Sequence, residues 1–202
     1  MIITTTTEPA VESVTLIEAK LHCRMATDAA SAAAYTTEDD WLTRNIAAAR
    51  IQAEQETGRR FITQTLTLYL NCWPNRKTFI RLPYPPLQSA TVTYRLEGDS
   101  DYDNTLSTVD TDIVSEPGRL ILQPDESWPS GTLYTDKPIK IVFVCGYGLA
   151  VAVPDGIKSA ILLKLEDLYN NRGEVVLGAA INRIPDAVDS LLRNYQKHTE
   201  FE

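Results

Sequence analysis

Hydrophobic residues recur at helical spacing towards both ends of the chain and at alternate positions through its middle. Thr15-Leu-Ile-Glu18 has the form of a capping box, in which Thr15 accepts from the third helical amide and Glu18 reaches back. Ile17, Leu21 and Met25 follow at spacing four, which predicts a short helix with one apolar stripe. Residues 27–35 read as an Ala-rich connector without a period. A second helix is predicted to open at Thr36 or Thr37, where Glu38, Asp39 and Asp40 place negative charge on the positive end of its dipole. Leu42, Ile46, Ala49 and Ala53 repeat at three and four, and Gly58 is a good stop. Its many alanines suit close approach to another helix.

From Phe61 the period changes to two, with β-formers alternating with polar residues from Ile62 to Leu70. Pro74, Pro83, Pro85 and Pro86 punctuate further predicted strands at Thr78–Leu82 and Ser89–Leu96. Gly98 to Asn104 reads as an acidic turn, and Ile113-Val114, Gly118–Leu122 and Ile139–Cys145 supply the remaining strands. Closely spaced strands with no helical period between them predict an antiparallel sheet or small barrel. After Pro154, Ile157, Ala160, Ile161, Leu165 and Leu168 define a third helix, with Asp155 as its cap. Residues 174–183 form a connector, and Pro185 starts a last helix whose face is Val188, Leu191, Leu192 and Tyr195. The expected fold is therefore α+β. A small bundle of about four helices (13–60 and 154–196) carries an antiparallel β-block (61–149) inserted between its second and third helices, with a flexible arm over 1–12 and a charged tail over 197–202.

Composition narrows the function. A chain of 202 residues is long enough to bury about 70% of its unfolded surface without disulfides or metals. Nineteen Lys and Arg against 27 Asp and Glu leave a net charge of −8, which argues against generic binding to nucleic acid or anionic membranes. Cys23, Cys72 and Cys145 lie far apart with no C-x-x-C, as expected of reduced thiols. No basic segment with an apolar core marks a secretory signal at the N-terminus, and no apolar run approaches the ~20 residues of a membrane span. The expectation is a soluble chain, intracellular when made.

No catalytic constellation emerges. His22 beside Cys23 and His198 in the tail are the two histidines, and neighbours on a helix point about 100° apart, so the first pair suits neither a dyad nor a shared metal. Asp99, Asp101, Asp103 and Asp110 imitate the start of an EF-hand, but Asn104 stands where the loop needs Gly and Asp110 where it needs a bidentate Glu. An acidic hairpin tip fits better. Gly146-Tyr-Gly148 resembles a dinucleotide fingerprint but is separated from the next helix by Ala152-Val153-Pro154, so the pyrophosphate would miss the helix N-terminus. Arg59-Arg60 and Arg76-Lys77 with Arg81 are the basic clusters, read as ion-pair partners or a subunit contact more readily than as DNA contacts. No cofactor and no metal are expected.

The order of short motifs resembles the head–tail connector (head-completion, or neck) proteins of long-tailed double-stranded-DNA phages and prophages. The resemblance runs over about residues 13–195. It rests on Val14-Thr-Leu-Ile-Glu-Ala-Lys20, Ala48-Ala-Arg50 leading to Glu56-Thr-Gly-Arg59, Thr63-Gln-Thr65, Leu82-Pro83 with Pro85-Pro-Leu-Gln-Ser89, Pro117-Gly-Arg-Leu120, Cys145-Gly-Tyr-Gly148, Val153-Pro154 before Ile157-Lys158, and Tyr169-Asn-Asn-Arg172. Where the smallest members are little more than a helical bundle, a long β-block interrupts this one. The resemblance implies a non-enzymatic subunit of a homo-oligomeric ring, twelve-fold when assembled, in the virion neck and in host cytoplasm before assembly. Its implied partners are the portal protein and the next neck or tail-terminator protein, with DNA passing through and no membrane. Tyr169, Asn171, Arg172, Val188, Leu191, Leu192 and Tyr195 are the candidate assembly surface, set against the equal reading that the last helix packs on its own subunit. A second function class is a ligand- or carbohydrate-binding β-domain on a helical adaptor, suggested by Trp73, Trp128 and several tyrosines. A third, a hydrolase, would need a deep cleft and a strongly perturbed carboxylate.

Overall fold

The computed structural model describes residues 1–75, 78–171 and 185–197. The chain divides into two compact units, one of Met1–Ala10 with Thr63–Tyr147 and one of Val11–Ile62 with Gly148–Glu202. Among the described residues, five α-helices and eight strands, all paired antiparallel, make the protein α+β.

The helical unit holds α1 (Leu16–His22), α2 (Ala29–Ala34), α3 (Asp39–Thr57), α4 (Asp155–Asn170) and α5 (Pro185–Arg193). The capping box forms as the sequence predicts. Glu18 N donates to Thr15 Oγ1 at 3.2 Å and Thr15 N to the Glu18 carboxylate at 2.7 Å. The stripe on α1 differs, because Ile17 is exposed while Ala19 and Lys20 are the buried positions. Lys20 is the reason. Its ammonium donates to the carbonyls of Ala32 (3.0 Å) and Tyr35 and lies 2.6 Å from the Asp39 carboxylate. A buried cation is tolerable only when its donors are satisfied, and this one closes the end of α2 onto the start of α3. Residues 29–34, expected as connector, are helical because Asp28 and Ser31 cap them reciprocally.

On α3 the expected face is the observed one: Leu42, Ile46, Ala49 and Ala53 are buried, and Gly58 ends the helix with φ +66°. Two charged residues share that burial. Arg50 donates to the Glu12 carboxylate (2.7 Å) and to Glu54 (3.2 Å), and Glu54 also accepts the amide of Phe61 at 3.0 Å. Burial opposes the charge on Arg50, but its hydrogen bonds to Glu12 and attraction to Glu54 more than offset this and raise its pKa. On α4, Ile157, Ala160, Ile161 and Leu165 are buried as their spacing predicts. Asp155 is its first residue but makes no cap bond; Pro154 stands at the cap position.

The β-unit contains β1 (Ile2–Thr7), β2 (Gln64–Leu70), β3 (Phe79–Arg81), β4 (Leu87–Tyr94), β5 (Asn104–Thr105), β6 (Val109–Asp112), β7 (Arg119–Leu122) and β8 (Ile139–Cys145). One sheet has the order β1-β2-β8-β4-β5 and the other β3-β7-β6. Leu66, Leu68, Leu120, Ile139, Ile141 and Phe143 are fully buried in its core. Two sequence expectations are corrected. Residues 2–7 are not part of a flexible arm but a strand along β2, with Ile3 opposite Leu68 and packed against the core. A run of Thr is as good a β-former as it is a poor helix-former, and its partner lies sixty residues away, beyond the reach of local periodicity. Ile113-Val114 is not a strand: β6 ends at Asp112, and both residues stand exposed in the turn that follows.

Removing the carboxylate of Glu54 takes from buried Arg50 one of its two carboxylate partners and from the Phe61 amide its acceptor, a loss of about 3–5 kcal/mol. Glu54→Ala is expected to lower the thermal midpoint of the helical unit by more than 10 °C, as read by differential scanning calorimetry.

Candidate functional site

Among the described residues, those that could carry chemistry are dispersed, and His22, Asp99 and Asp101 are engaged within the fold. His22 Nε2 lies 3.1 Å from a Glu166 oxygen, in a pairing of α1 with α4 that contains no nucleophile. In the acidic loop, Asp99 accepts from the Leu96 amide (2.8 Å) and from Asn104 Nδ2 (2.7 Å), while Asp101 accepts from the Tyr102 amide (2.8 Å). These carboxylates turn onto their own backbone. No cluster of three or more His, Cys, Asp or Glu suited to a metal ion is present among the described residues. Gly146 and Gly148, both at φ +117°, let the chain turn out of β8.

The basic clusters are similarly occupied. Arg59 Nε donates to the Tyr195 carbonyl at 2.6 Å, and Arg60 lies 3.5 Å from Glu54. The Arg81 guanidinium lies 5.6 Å from the centroid of the Phe79 ring. Arg76 and Lys77 lie outside the described residues. A groove of about 330 Å³ is lined by Gln55, Glu56, Thr57, Gly58, Gln196 and Lys197. Its one carboxylate, Glu56, is bound by Lys164 at 2.7 Å, so the groove brings together no acid–base pair.

The predicted assembly residues do not gather at one place: Tyr169 and Asn171 lie at the end of α4 beside the start of α3, whereas Tyr195 lies beside the start of α4 and the end of α3. Tyr169 packs edge-on against Trp41, with ring centroids 5.7 Å apart, and the exposed Asn171 donates to Asp167 at 2.7 Å. Val188, Leu191 and Tyr195 are half-buried, whereas Leu192 is 1% exposed. The α5 face therefore lies against α4 and α3 of its own chain. A methyl group at Gly156 would come within 3.0 Å of the Tyr195 hydroxyl, and Lys197 N donates to the Thr57 carbonyl at 2.9 Å. Arg172 lies outside the described residues, as do His198 and the connector after Asn171.

Exposed apolar residues lie elsewhere, at positions the sequence reading did not assign to the assembly surface. Leu149, just before the 3-10 turn at Ala150–Ala152, is 71% exposed, and Val151, at its centre, is 83% exposed. Val114 is 89% exposed beside Ile113 at the β6–β7 tip. That tip is firmly built. Asp112 accepts from the amides of Val114 (3.1 Å) and Ser115 (3.0 Å) and from Arg119 (2.9 Å). Hydrogen bonds from Ser115, then from Arg119, hold its carboxyl far below the ordinary range. The two tryptophans cover each other: Trp73 and Trp128 stack at 5.0 Å and 10°, half-buried against the sheet core, with Trp73 edge-on to Tyr94. That arrangement does not favour a sugar-binding platform.

Comparison with known proteins adds what the side chains do not. No family model matches the sequence, and no curated protein matches it. Solved structures do match along the full length. A chain in the neck of an empty gene transfer agent (GTA) particle, computed with C6 symmetry, superposes with a TM-score of 0.79 at 18% identity, over 100% of this chain and 98% of that one. This is the fold of chains found in GTA necks. A chain in the virion of a native GTA particle gives 0.78 at 20% identity, and one in the native neck computed with C12 symmetry gives 0.69 at 18%, with the same coverage. The neck-type fold spans both units, including the β-block and the N-terminal strand.

The β6–β7 tip has a defined pH response. Because the folded pKa of Asp112 is depressed, its contribution is present above the ordinary carboxylate value of about 3.9 and is lost as pH falls through the lower folded value. The amide resonances of Val114 and Ser115 are expected to hold their positions from pH 7 to about 4 and to shift only in stronger acid. In Asp112→Asn they should be displaced already at pH 7.

Proposed function

We propose that this chain is a non-enzymatic structural subunit of a head–tail connector ring in a phage or phage-like particle. In this reading it docks on the portal vertex, completes the head, offers the attachment site for the tail, and lets DNA pass without sequence-specific binding. The observation that carries the proposal is the likeness of the whole chain to chains in GTA necks described with C6 and C12 symmetry. The dispersal of the titratable groups supports the same reading. So does the charge of −8, since a subunit that attracted phosphates would hold DNA in the channel. The chain then works in the virion neck, having been made in host cytoplasm, and its partners are copies of itself, the portal and the next neck or tail-terminator protein.

A closed ring needs a heterologous interface, one surface of a subunit meeting a different surface of the next. Tyr169 and Asn171 at the end of α4, and Val188, Leu191 and Tyr195 along α5, all accessible in whole or part, are proposed to carry contacts to the neighbour or the portal. Leu192 instead anchors α5.

Light scattering of the purified chain, alone and with a portal ring, tests this. A mass near twelve subunits, or co-migration with the portal, is expected; a monomer that ignores the portal at every concentration overturns the proposal. Leu191→Asp should abolish ring formation with the circular dichroism spectrum unchanged. Leu192→Asp should melt the helical unit itself, because it puts a charge in a sealed core.

A further inference from the structure

The two outer edges of the five-stranded sheet are unlike ordinary protein edges. β1 lies at one end of the order β1-β2-β8-β4-β5, and no strand of the described residues lies beyond it. Alternate residues of such a strand turn their N–H and C=O groups outward, where they offer a template to any chain of matching polarity. Natural edges are blunted with Lys, Pro or inward charges, yet residues 1–7, Met-Ile-Ile-Thr-Thr-Thr-Thr, carry no charged side chain and no proline. Nearly all of β1 is exposed, and only Ile3 is half-buried.

The opposite edge is uncharged too, and each edge is irregular at one point only, Thr5/Thr7 on β1 and Leu87/Ser89 on β4. β5 covers β4 only at Thr93 and Tyr94, and the Leu106 amide reaches Val92. From Gln88 to Thr91 no strand pairs with the outer side of β4 among the described residues, although β6 approaches it. Gln88, Ser89 and Thr91 are exposed, and the whole of β4 is uncharged. The outer strands of the second sheet differ, with Arg81 on β3 and Asp110 and Asp112 on β6. Charge thus protects one sheet and not the other.

Strand direction supplies the third argument. β1, β2, β8 and β4 are successively antiparallel, so β1 and β4 point in opposite directions. A β1 laid beside β4 of a second copy, with both sheets in the same orientation, therefore continues the antiparallel alternation without reversal. The contact is heterologous, as ring closure demands.

We propose that β1 of one copy adds to the outer edge of β4 in the next, around Gln88–Thr91, and that this main-chain seam joins neighbouring subunits. The inference rests on the ring reading above and names its interface. The bonds would come from backbone, so the seam tolerates exchange among uncharged β-formers but not an added charge, and the Thr-rich faces keep each edge soluble until it meets its partner.

The test uses the full chain, dilute and under the conditions, alone or with a portal ring, in which light scattering records a ring. Amide hydrogen exchange of residues 2–7 and 88–91 should slow at least ten-fold on assembly, at both edges. Thr4→Lys and Ser89→Lys, each at an exposed position, should each raise the concentration for half-assembly at least ten-fold while leaving the thermal transition of the dilute chain in place. A ring that forms without protection at either edge overturns the seam and leaves the ring reading standing. Protection of β1 alone overturns it too, since the strand received would then come from another protein. A chain that never assembles defeats both.

Discussion

The buried carboxylate of Glu54 is the constraint around which the helical unit closes. It sits on the penultimate turn of α3, 2% exposed, and accepts from Arg50 one turn earlier and from the amide of Phe61. Arg50 in turn reaches Glu12, ahead of α1, and Arg60 approaches the same Glu54 oxygen. One anion thus gathers the segment before the first helix, the longest helix and the chain just past its Gly58 stop. An apolar residue at position 54 could fill the volume, but it could not fix where the chain goes after α3. The amide of Phe61 has to point back at the helix, and that direction starts the run towards β2. The cost of burying these charges is repaid only if the donors and acceptors are matched, so the arrangement specifies one geometry more than it adds stability.

How much of this was legible in the sequence depended on the range of the interaction. The α3 and α4 faces, the capping box at Thr15 and Glu18, and the strands at 64–70 and 139–145 are set by local period and cap chemistry, and they appear where the pattern put them. The misread elements are those set by distant partners. A Thr run at 2–7 has no alternation of its own and becomes a strand because β2 offers it an edge. Ile17, Leu21 and Met25 made a convincing stripe, but helix α1 is oriented by Lys20, whose ammonium needs the carbonyls at the end of α2. Ile113-Val114 looked like a strand by composition, yet Asp112 captures the next two amides and turns the chain before they can pair. A distant strand edge decided the first, and charged side chains, which a hydrophobic pattern ignores, decided the other two.

The candidate surface shows the same limit in another form. Periodicity identified Val188, Leu191, Leu192 and Tyr195 as one apolar face of α5, and they do share a face. Periodicity cannot say whether such a face meets its own chain or another. Here Arg59 and Lys197 settle the position of the segment by bonding the Tyr195 and Thr57 carbonyls, which ties the end of α5 to the end of α3. The residues that stand out in solvent, Leu149, Val151 and Val114, lie in turns, where no period could have marked them.

Those internal ties also bear on the charge of the proposed ring. Among the cations, Lys20, Arg50, Arg60, Arg119 and Lys164 are each paired with a carboxylate of their own chain. Each such pair removes one positive and one negative charge from the field that a distant polyanion feels, and leaves the excess of eight negative charges undiminished. At a Debye length of about 8 Å, that excess acts only near the surface. In a channel lined by several copies it would keep phosphates away from the wall without slowing passage along the axis. In the proposed ring that repulsion would follow from the net charge as a whole and would need no particular side chain.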